Sequence, residues 1–283
     1  MTADPDAVPA SNPLTALPAH RVGGIPFRVA QREAAIDAVV ATAGQGREQG
    51  TGVAVHFANA YTVALADDDA AYGALFSAPG SVTFTDGMPV AWIGRRQHPE
   101  AAAVWDRVYG PDVMAGVLAA SSESGPRHYL LGGSPQTLAL LRSAISQRWP
   151  QALIVGAESP PFRPLTDVEQ AEVSGRIDAS GADIVWVGLG TPKQDWEVAR
   201  VAAASPVVAM AVGAAFDFLA GAKPQAPAWV QRSGLEWATG WRPSRGDSAG
   251  ATCGGTRGSS LRLGAAGTTT SAASPGIDRG GMA

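Results

Sequence analysis

The stretch ADIVWVGLG, residues 182–190, decides the fold. Its apolar run IVWV stands between an aspartate and a glycine, and so short a run is typical of a strand that is buried on both faces. Strands of that kind occur in parallel sheets that helices cover from both sides. The following stretch, TPKQDWEVARVAAA at residues 191–204, has the early proline and the apolar spacing of a helix. We therefore predict a strand–helix unit of a parallel sheet.

The same alternation of strand and helix continues outward in both directions. Strand-like apolar runs recur at residues 52–59, 81–87, 127–133, 152–157 and 206–213. Helix-like stretches stand between them, and one follows Ser134, a suitable N-cap, with Pro135 at its first position. The pattern predicts an α/β fold, a Rossmann-like layered parallel sheet with helices on both faces. We expect it to occupy residues 23–238, after a flexible leader rich in proline and alanine at residues 1–22.

Composition excludes several classes of function. The 283-residue chain has a formal net charge of −4, so it lacks the basic footprint of a nucleic-acid-binding protein. Its single cysteine, Cys253, excludes an internal disulfide framework and a cysteine-based metal site. The first residues do not resemble a secretory signal, and no run of about 18 apolar residues could span a membrane. These features favour a cytoplasmic protein.

Polar residues and glycines follow several of the predicted strands. Ligands of parallel α/β sheets bind beyond the carboxyl ends of the strands, so we expect these residues to lie along one rim. The turn of Gly132, Gly133 and Ser134 opens a helix and could hold a phosphate, although a tight turn explains it equally well. Gly188 and Gly190 precede another helix, where Gln194 could donate to a sugar or uracil carbonyl; a capped turn is the alternative.

Carboxylates and histidines are the remaining candidates for catalytic or metal-binding residues. Asp86 ends a predicted strand and could act as a general base, although an isolated Asp-Gly pair is more often only a turn. The acidic triplet at residues 67–69 lies in or beside a helix, so we favour a solvated surface over a metal site. No two histidines have metal-ligating spacing, and His56 reads as a core or rim residue. We expect no metal site and no cofactor.

Seven segments occur together, in one order, and give a more specific signal. They are FANAYTVALA (57–66), FTDGMPVAW (84–92), RVYGPDVM (107–114), HYLLGGSPQTLALL (128–141), ADIVWVGLGTPKQDW (182–196), AVGAAFDFLAG (211–221) and APAWVQRSGLEW (226–237). Together they resemble the WecG/TagA/CpsF glycosyltransferases, also called glycosyltransferase family 26, over about residues 50–238. Each segment alone is a weak signal, whereas the ordered combination is specific.

The resemblance implies an enzyme that inverts the anomeric centre of its donor sugar. The donor would be a UDP-linked N-acetylhexosamine of N-acetylmannosamine type, and the acceptor a sugar on a polyprenyl diphosphate. The products would feed teichoic acid or other cell-surface polysaccharide synthesis, without a metal. The general base would be the aspartate of the DG motif, here Asp86 before Gly87, and Asn59 and Gln194 would line the sugar-nucleotide pocket. The resemblance also leaves a homo-oligomer open.

Two other functions stay open at this stage. One is a non-catalytic relic that still binds a sugar nucleotide. The other is a different nucleotide-using α/β enzyme such as a dehydrogenase, against which no G-x-G-x-x-G follows a strand. The chain also departs from the family pattern: Phe57 stands where a threonine is frequent, and Gln225 where an arginine is frequent.

Composition shifts after Trp237. Residues 239–283 are rich in glycine, alanine, serine and threonine, which predicts a disordered low-complexity tail. The family instead continues into a basic amphipathic segment, beginning near YRL, that holds the enzyme at the inner face of the membrane. Codons for the residues from Ala238 onward can be chosen so that another frame reads YRLAAEPRRLCRRYL. We therefore favour a frameshift over a natural linker, and expect membrane contact only with that tail restored.

Overall fold

The computed structural model describes residues 12–122 and 125–225. The strands are β1 (Ala19–Val22), β2 (Ile25–Arg28), β3 (Val53–Ala58), β4 (Ser81–Thr85), β5 (Arg127–Gly132), β6 (Leu153–Glu158), β7 (Ile184–Gly188) and β8 (Val208–Ala211). The helices are α1 (Pro13–Ala16), α2 (Arg32–Gln49), α3 (Ala60–Asp68), α4 (Ala70–Leu75), α5 (Met88–Gln97), α6 (Gly110–Ala119), α7 (Pro135–Arg148), α8 (Asp167–Ser180), α9 (Lys193–Ala204) and α10 (Ala215–Leu219), with a short 3-10 helix at Pro99–Ala101. The predicted tail at 239–283 and its frameshift lie outside the described residues.

The described part of the chain contains a six-stranded parallel sheet, which confirms the predicted fold class. The strand order is β4-β3-β8-β7-β5-β6, and every neighbouring pair runs parallel. β7, the strand of the opening stretch, lies between β5 and β8, and its residues Ile184 to Val187 are all buried. A strand covered on both faces gains from apolar side chains at every position, which explains why its sequence does not alternate.

Two apolar layers cover the opposite faces of the sheet. On β3, Val53, Val55 and Phe57 pack into one core cluster together with residues of α2, α6, α7 and α10. Ala54 belongs to the cluster on the other face, which α8 and α9 cover through residues such as Ile177 and Val198. Successive side chains of a strand point to opposite faces, so β3 separates the two layers.

An antiparallel hairpin of β1 and β2 precedes the main sheet. Val22, Ile25 and Phe27 pack with Trp105 in a third apolar cluster, and Leu14 of α1 is also fully buried. The structure therefore differs from the predicted flexible leader over residues 12–22, because the sparse apolar residues there still find a core. Residues 1–11 of that leader lie outside the described residues.

The acidic triplet at residues 67–69 is exposed, and Asp69 has a local role. Its Oδ1 accepts hydrogen bonds from the backbone N–H groups of Ala71 (2.9 Å) and Tyr72 (3.1 Å), so it caps α4. This cap separates α3 from α4 in a stretch that reads as continuous helix. Among the described helices, none combines the length and the apolar character needed to cross a bilayer.

Candidate active site

A cavity of about 310 Å³ opens at the carboxyl ends of β3, β4, β7 and β8. Its described lining consists of Phe57, Asn59, Asp86, Tyr109, Pro111, Gly190, Thr191, Gln194, Ala211, Val212, Gly213, Ala214 and Phe218. Asp86 is the only charged side chain among these described lining residues. The cavity lies where parallel α/β sheets bind ligands, and it combines apolar walls with a few polar groups.

The backbone of Asp86 is held from two sides. Its N–H donates to the carbonyl of Ala58 on the neighbouring strand (3.0 Å), and its own carbonyl accepts from Arg107 Nε (2.9 Å). The side-chain Oδ1 accepts from the N–H of Gly110 (3.1 Å), the first residue of α6. These contacts fix a half-buried carboxylate at the cavity wall.

Gly87 ends the Asp-Gly pair and begins helix α5 as its N-cap residue. A Cβ at this position would lie 3.4 Å from Cβ of Asn59. The pair is therefore a tight connection from β4 to α5 that borders Asn59. It is both the turn that the sequence suggested and the carrier of the cavity's carboxylate.

Asn59 follows β3 directly and caps helix α3. Its Oδ1 accepts from the N–H groups of Tyr61 (3.0 Å) and Thr62 (3.2 Å), which fixes the orientation of the side-chain amide. Within the described residues its Nδ2 makes no hydrogen bond, so the cap leaves a donor at the cavity wall. An asparagine fits here because one end of the amide satisfies the helix and the other can meet a ligand.

Gln194 lines the cavity but uses both ends of its amide within the protein. Oε1 accepts from the N–H of Gly190 (3.1 Å), and Nε2 donates to the carbonyl of Ala211 (3.1 Å). The side chain thus joins the turn after β7 to the end of β8. The sequence suggests donation to a sugar or uracil carbonyl; the hydrogen bonds observed here instead shape the cavity floor.

A buried polar network anchors the same end of α9. Asp195, next to Gln194, accepts from His56 Nδ1 (2.9 Å) through Oδ1 and from the Tyr72 hydroxyl (2.8 Å) through Oδ2. His56 is fully buried, and its Nε2 has no hydrogen-bond partner. Burial, together with the adjacent Asp195 carboxylate, raises the pKa of Tyr72, so it remains a hydrogen-bond donor. The network ties α9 to β3 and α4.

Arg107 and Tyr109 stand beside Asp86, and the candidate residues did not include them. The Arg107 guanidinium carbon lies 3.9 Å from the centre of the Tyr109 ring, a cation–π contact. Tyr109 lines the cavity, so this pair brings positive charge to its edge. Both residues belong to the segment RVYGPDVM. Their presence in a segment shared with the family was the sequence signal that could have identified them as site residues.

A family model described as "Glycosyl transferase WecG/TagA/CpsF family" matches residues 20–242. The match covers most of the 283-residue chain. The chain belongs to this family. The predicted resemblance is thereby confirmed, and with it a glycosyltransferase role in cell-surface polysaccharide synthesis.

The glycosyltransferase fold brings together some of the predicted site residues and separates others. Asn59, Asp86, Gly190 and Gln194 line one cavity, and Gly87 borders it. The described cavity lining does not include Gly132, Gly133, Ser134 or Gly188.

Packing explains the glycines that lie away from the cavity of this transferase. A Cβ at Gly188 would lie 2.7 Å from the ring of Phe216, and one at Gly132 would lie 2.6 Å from the Gly188 carbonyl oxygen. Ser134 Oγ accepts from the N–H of Thr137 (3.0 Å), which caps α7. The two glycines therefore allow close contact among β5, β7 and α10, and Ser134 stabilises the start of α7.

Proposed function

We propose that this glycosyltransferase moves an N-acetylhexosamine, of N-acetylmannosamine type, from a UDP-sugar to a sugar on a polyprenyl diphosphate, with inversion. The observation that supports this most is the single carboxylate, Asp86, among the described residues that line the cavity. A single displacement needs one base at the acceptor hydroxyl, and one positioned carboxylate meets that need.

In the proposed reaction the acceptor oxygen attacks the anomeric carbon of the donor. The bond from that carbon to the UDP oxygen breaks, UDP leaves with the bonding electrons, and Asp86 takes the hydroxyl proton. The hydrogen bond from Gly110 N–H to Asp86 Oδ1 orients the carboxylate for this step. Orientation of this kind converts binding energy into rate because the reacting groups start close together.

The leaving UDP carries negative charge that the site has to stabilise. Arg107, beside Asp86 and stacked on Tyr109, supplies a cation at the cavity edge. Asn59 Nδ2 supplies a neutral donor at the cavity wall for the sugar nucleotide. We assign these two side chains to the donor and Asp86 to the acceptor.

The lipid-linked acceptor requires contact with a membrane surface. The family match ends at residue 242, close to Ala238, where the alternative reading frame begins. We therefore propose that a tail in that frame completes the acceptor site at the inner face of the membrane. The 283-residue chain with its present tail would then bind the donor and transfer sugar poorly.

The test is UDP release from a panel of UDP-N-acetylhexosamines in the presence of a polyprenyl-diphosphate-linked sugar. The 283-residue chain is assayed beside a version with the alternative tail, each with and without Asp86→Asn. Asparagine can still accept from Gly110 N–H but is not a base, so transfer should fall by on the order of 10²–10⁴-fold. Asp68→Asn, at an exposed aspartate, is the matched control and should remain active.

Four outcomes of these experiments are informative about the functions that the sequence left open and about Asp86. Release that depends on Asp86 supports the transferase. Donor binding without transfer, in both tail versions, supports a sugar-nucleotide-binding relic. Full activity of Asp86→Asn would remove Asp86 from the role of base, and NAD binding without UDP-sugar binding would favour a dehydrogenase.

A further inference from the structure

Two histidines and a glutamate meet beside the β1–β2 hairpin. His20 lies in β1, His98 is the residue after α5, and Glu100 lies in the 3-10 helix. One potential ligand atom from each residue lies within 4.8 Å of the other two. The two imidazole rings are 4.6 Å apart between centroids. Sequence spacing does not predict this cluster, because its first two members are separated by most of the N-terminal half.

The distances suit a small metal ion. Nδ1 of His20 and Nδ1 of His98 lie 3.7 and 3.5 Å from the same oxygen, Oε1 of Glu100. Two ligands bonded at about 2.0–2.1 Å in a tetrahedron lie about 3.3–3.4 Å apart. Each imidazole nitrogen therefore already stands close to the separation from the Glu100 oxygen that a tetrahedral site needs.

Hydrogen bonding sets the tautomer of His98. Its Nε2 lies 2.9 Å from the backbone carbonyl of Arg21, and a carbonyl can only accept, so Nε2 carries the proton. In the neutral ring the lone pair is then on Nδ1, facing the Glu100 carboxylate. A nitrogen lone pair that faces a carboxylate oxygen attracts a positive charge between them, which a proton or a metal ion can supply. An imidazole that donates its other N–H to a backbone carbonyl is the usual arrangement of a histidine metal ligand.

We propose that His20, His98 and Glu100 bind one divalent transition-metal ion of the Zn²⁺ type, with the fourth position open to water. Two imidazoles and one carboxylate are a ligand set that Zn²⁺ uses. The ion joins the hairpin to the end of α5 and so stabilises the packing of β1. α5 has 10 residues, so its far end lies about 15 Å from Gly87. The ion is therefore separate from Asp86.

The other histidines do not compete for the metal. The chain has four in all, and His56 and His128 are both fully buried. His128 also uses both ring nitrogens, on Ser121 Oγ (2.9 Å) and Trp186 Nε1 (3.2 Å). Burial lowers the pKa of His128 to about 4, which keeps it a neutral core residue. Metal binding that requires a histidine of this chain can therefore be assigned to His20 and His98.

The test uses the full chain without an affinity tag, in a Cys253→Ser background, after treatment with a chelator. Titration with Co²⁺ should give a visible absorption band that saturates at one ion per chain, and Zn²⁺ should displace it. Zn²⁺ should also raise the thermal unfolding midpoint, since a ligand that binds only the folded state stabilises it. His20→Gln, His98→Gln and Glu100→Gln should each weaken Co²⁺ binding by about tenfold or more.

The matched control is Glu172→Gln, because Glu172 has 60% side-chain exposure, against 64% for Glu100. It should bind Co²⁺ like the parent chain. The absence of a Co²⁺ band, or a band that survives in both histidine variants, would overturn the proposal. Because two histidines on different elements are tested separately, misfolding of one variant leaves the other to decide.

Discussion

The turns that follow β5 and β7 each carry two glycines and lead into a helix, yet only the second lines the cavity. The β5 turn contains Gly132, Gly133 and Ser134, and the β7 turn contains Gly188 and Gly190. β7 lies next to β8, whose end forms the cavity floor, whereas β5 is one strand further away. Two turns of similar sequence thus have different surroundings, because the position of the preceding strand in the sheet decides which turn meets the cavity.

The ring of Phe216 adds to this difference. It is buried, and it lies close to the Cβ positions of both Gly188 (2.7 Å) and Gly133 (3.5 Å). An apolar side chain therefore occupies space above the β5 turn that a ligand would need. Gly190 has no atom within 4 Å of its Cβ position and faces open space at the cavity. The β5 turn and Gly188 therefore serve packing, whereas Gly190 leaves the backbone open to the cavity.

The largest expected effect separates Gly132 from Gly190. Gly132 has φ +121° and a Cβ position 2.6 Å from a backbone oxygen, so Gly132→Ala combines strain with a clash. We expect it to lower the free energy of unfolding by about 2–5 kcal/mol. Gly190 has φ +77° and open space, so Gly190→Ala should lower it by only about 1–2 kcal/mol. Urea unfolding of both variants measures the difference, and equal losses would contradict it.

Sequence patterns predicted the fold well, because the signals for its strands and helices lie within short stretches of sequence. Runs such as residues 184–187 show burial on both faces directly, and caps such as Ser134 mark helix starts. The hairpin at residues 19–28 was partly missed, because its few apolar residues gain burial only from a distant partner, Trp105. Contacts of that kind depend on tertiary packing, which local periodicity does not contain.

The candidate site was only partly predictable. Asn59 and Asp86 follow adjacent strands, β3 and β4, so the rule that strand ends meet at one rim explains why both line the cavity. The same rule gave no reason to separate Gly132 from Gly190, because it carries no information about strand order. Arg107 was missed because it lies in a loop, where nothing in the local pattern shows that it reaches Asp86.

The next expected effect concerns the link between the β7 turn and β8. Gln194→Ala removes the partners of Gly190 N–H and the Ala211 carbonyl. We expect a loss of about 1–3 kcal/mol in the free energy of unfolding, together with weaker transfer, because the cavity floor loosens. Gln147→Ala, at an exposed glutamine of α7, is the control and should change stability by less than about 0.5 kcal/mol. A stable, fully active Gln194→Ala would show that this link does not shape the site.

The smallest expected effect tests the β5 turn itself. Ser134→Ala removes the cap on the Thr137 N–H, which should lower the free energy of unfolding by about 1 kcal/mol. Since the described cavity lining omits Ser134, the donor KM should stay unchanged. Thr166→Ala, which removes the comparable cap of α8, should give a similar loss of stability. A raised donor KM in Ser134→Ala alone would return the β5 turn to the donor site as a phosphate-binding turn, and would show that the bound state uses a wider rim than the cavity described here.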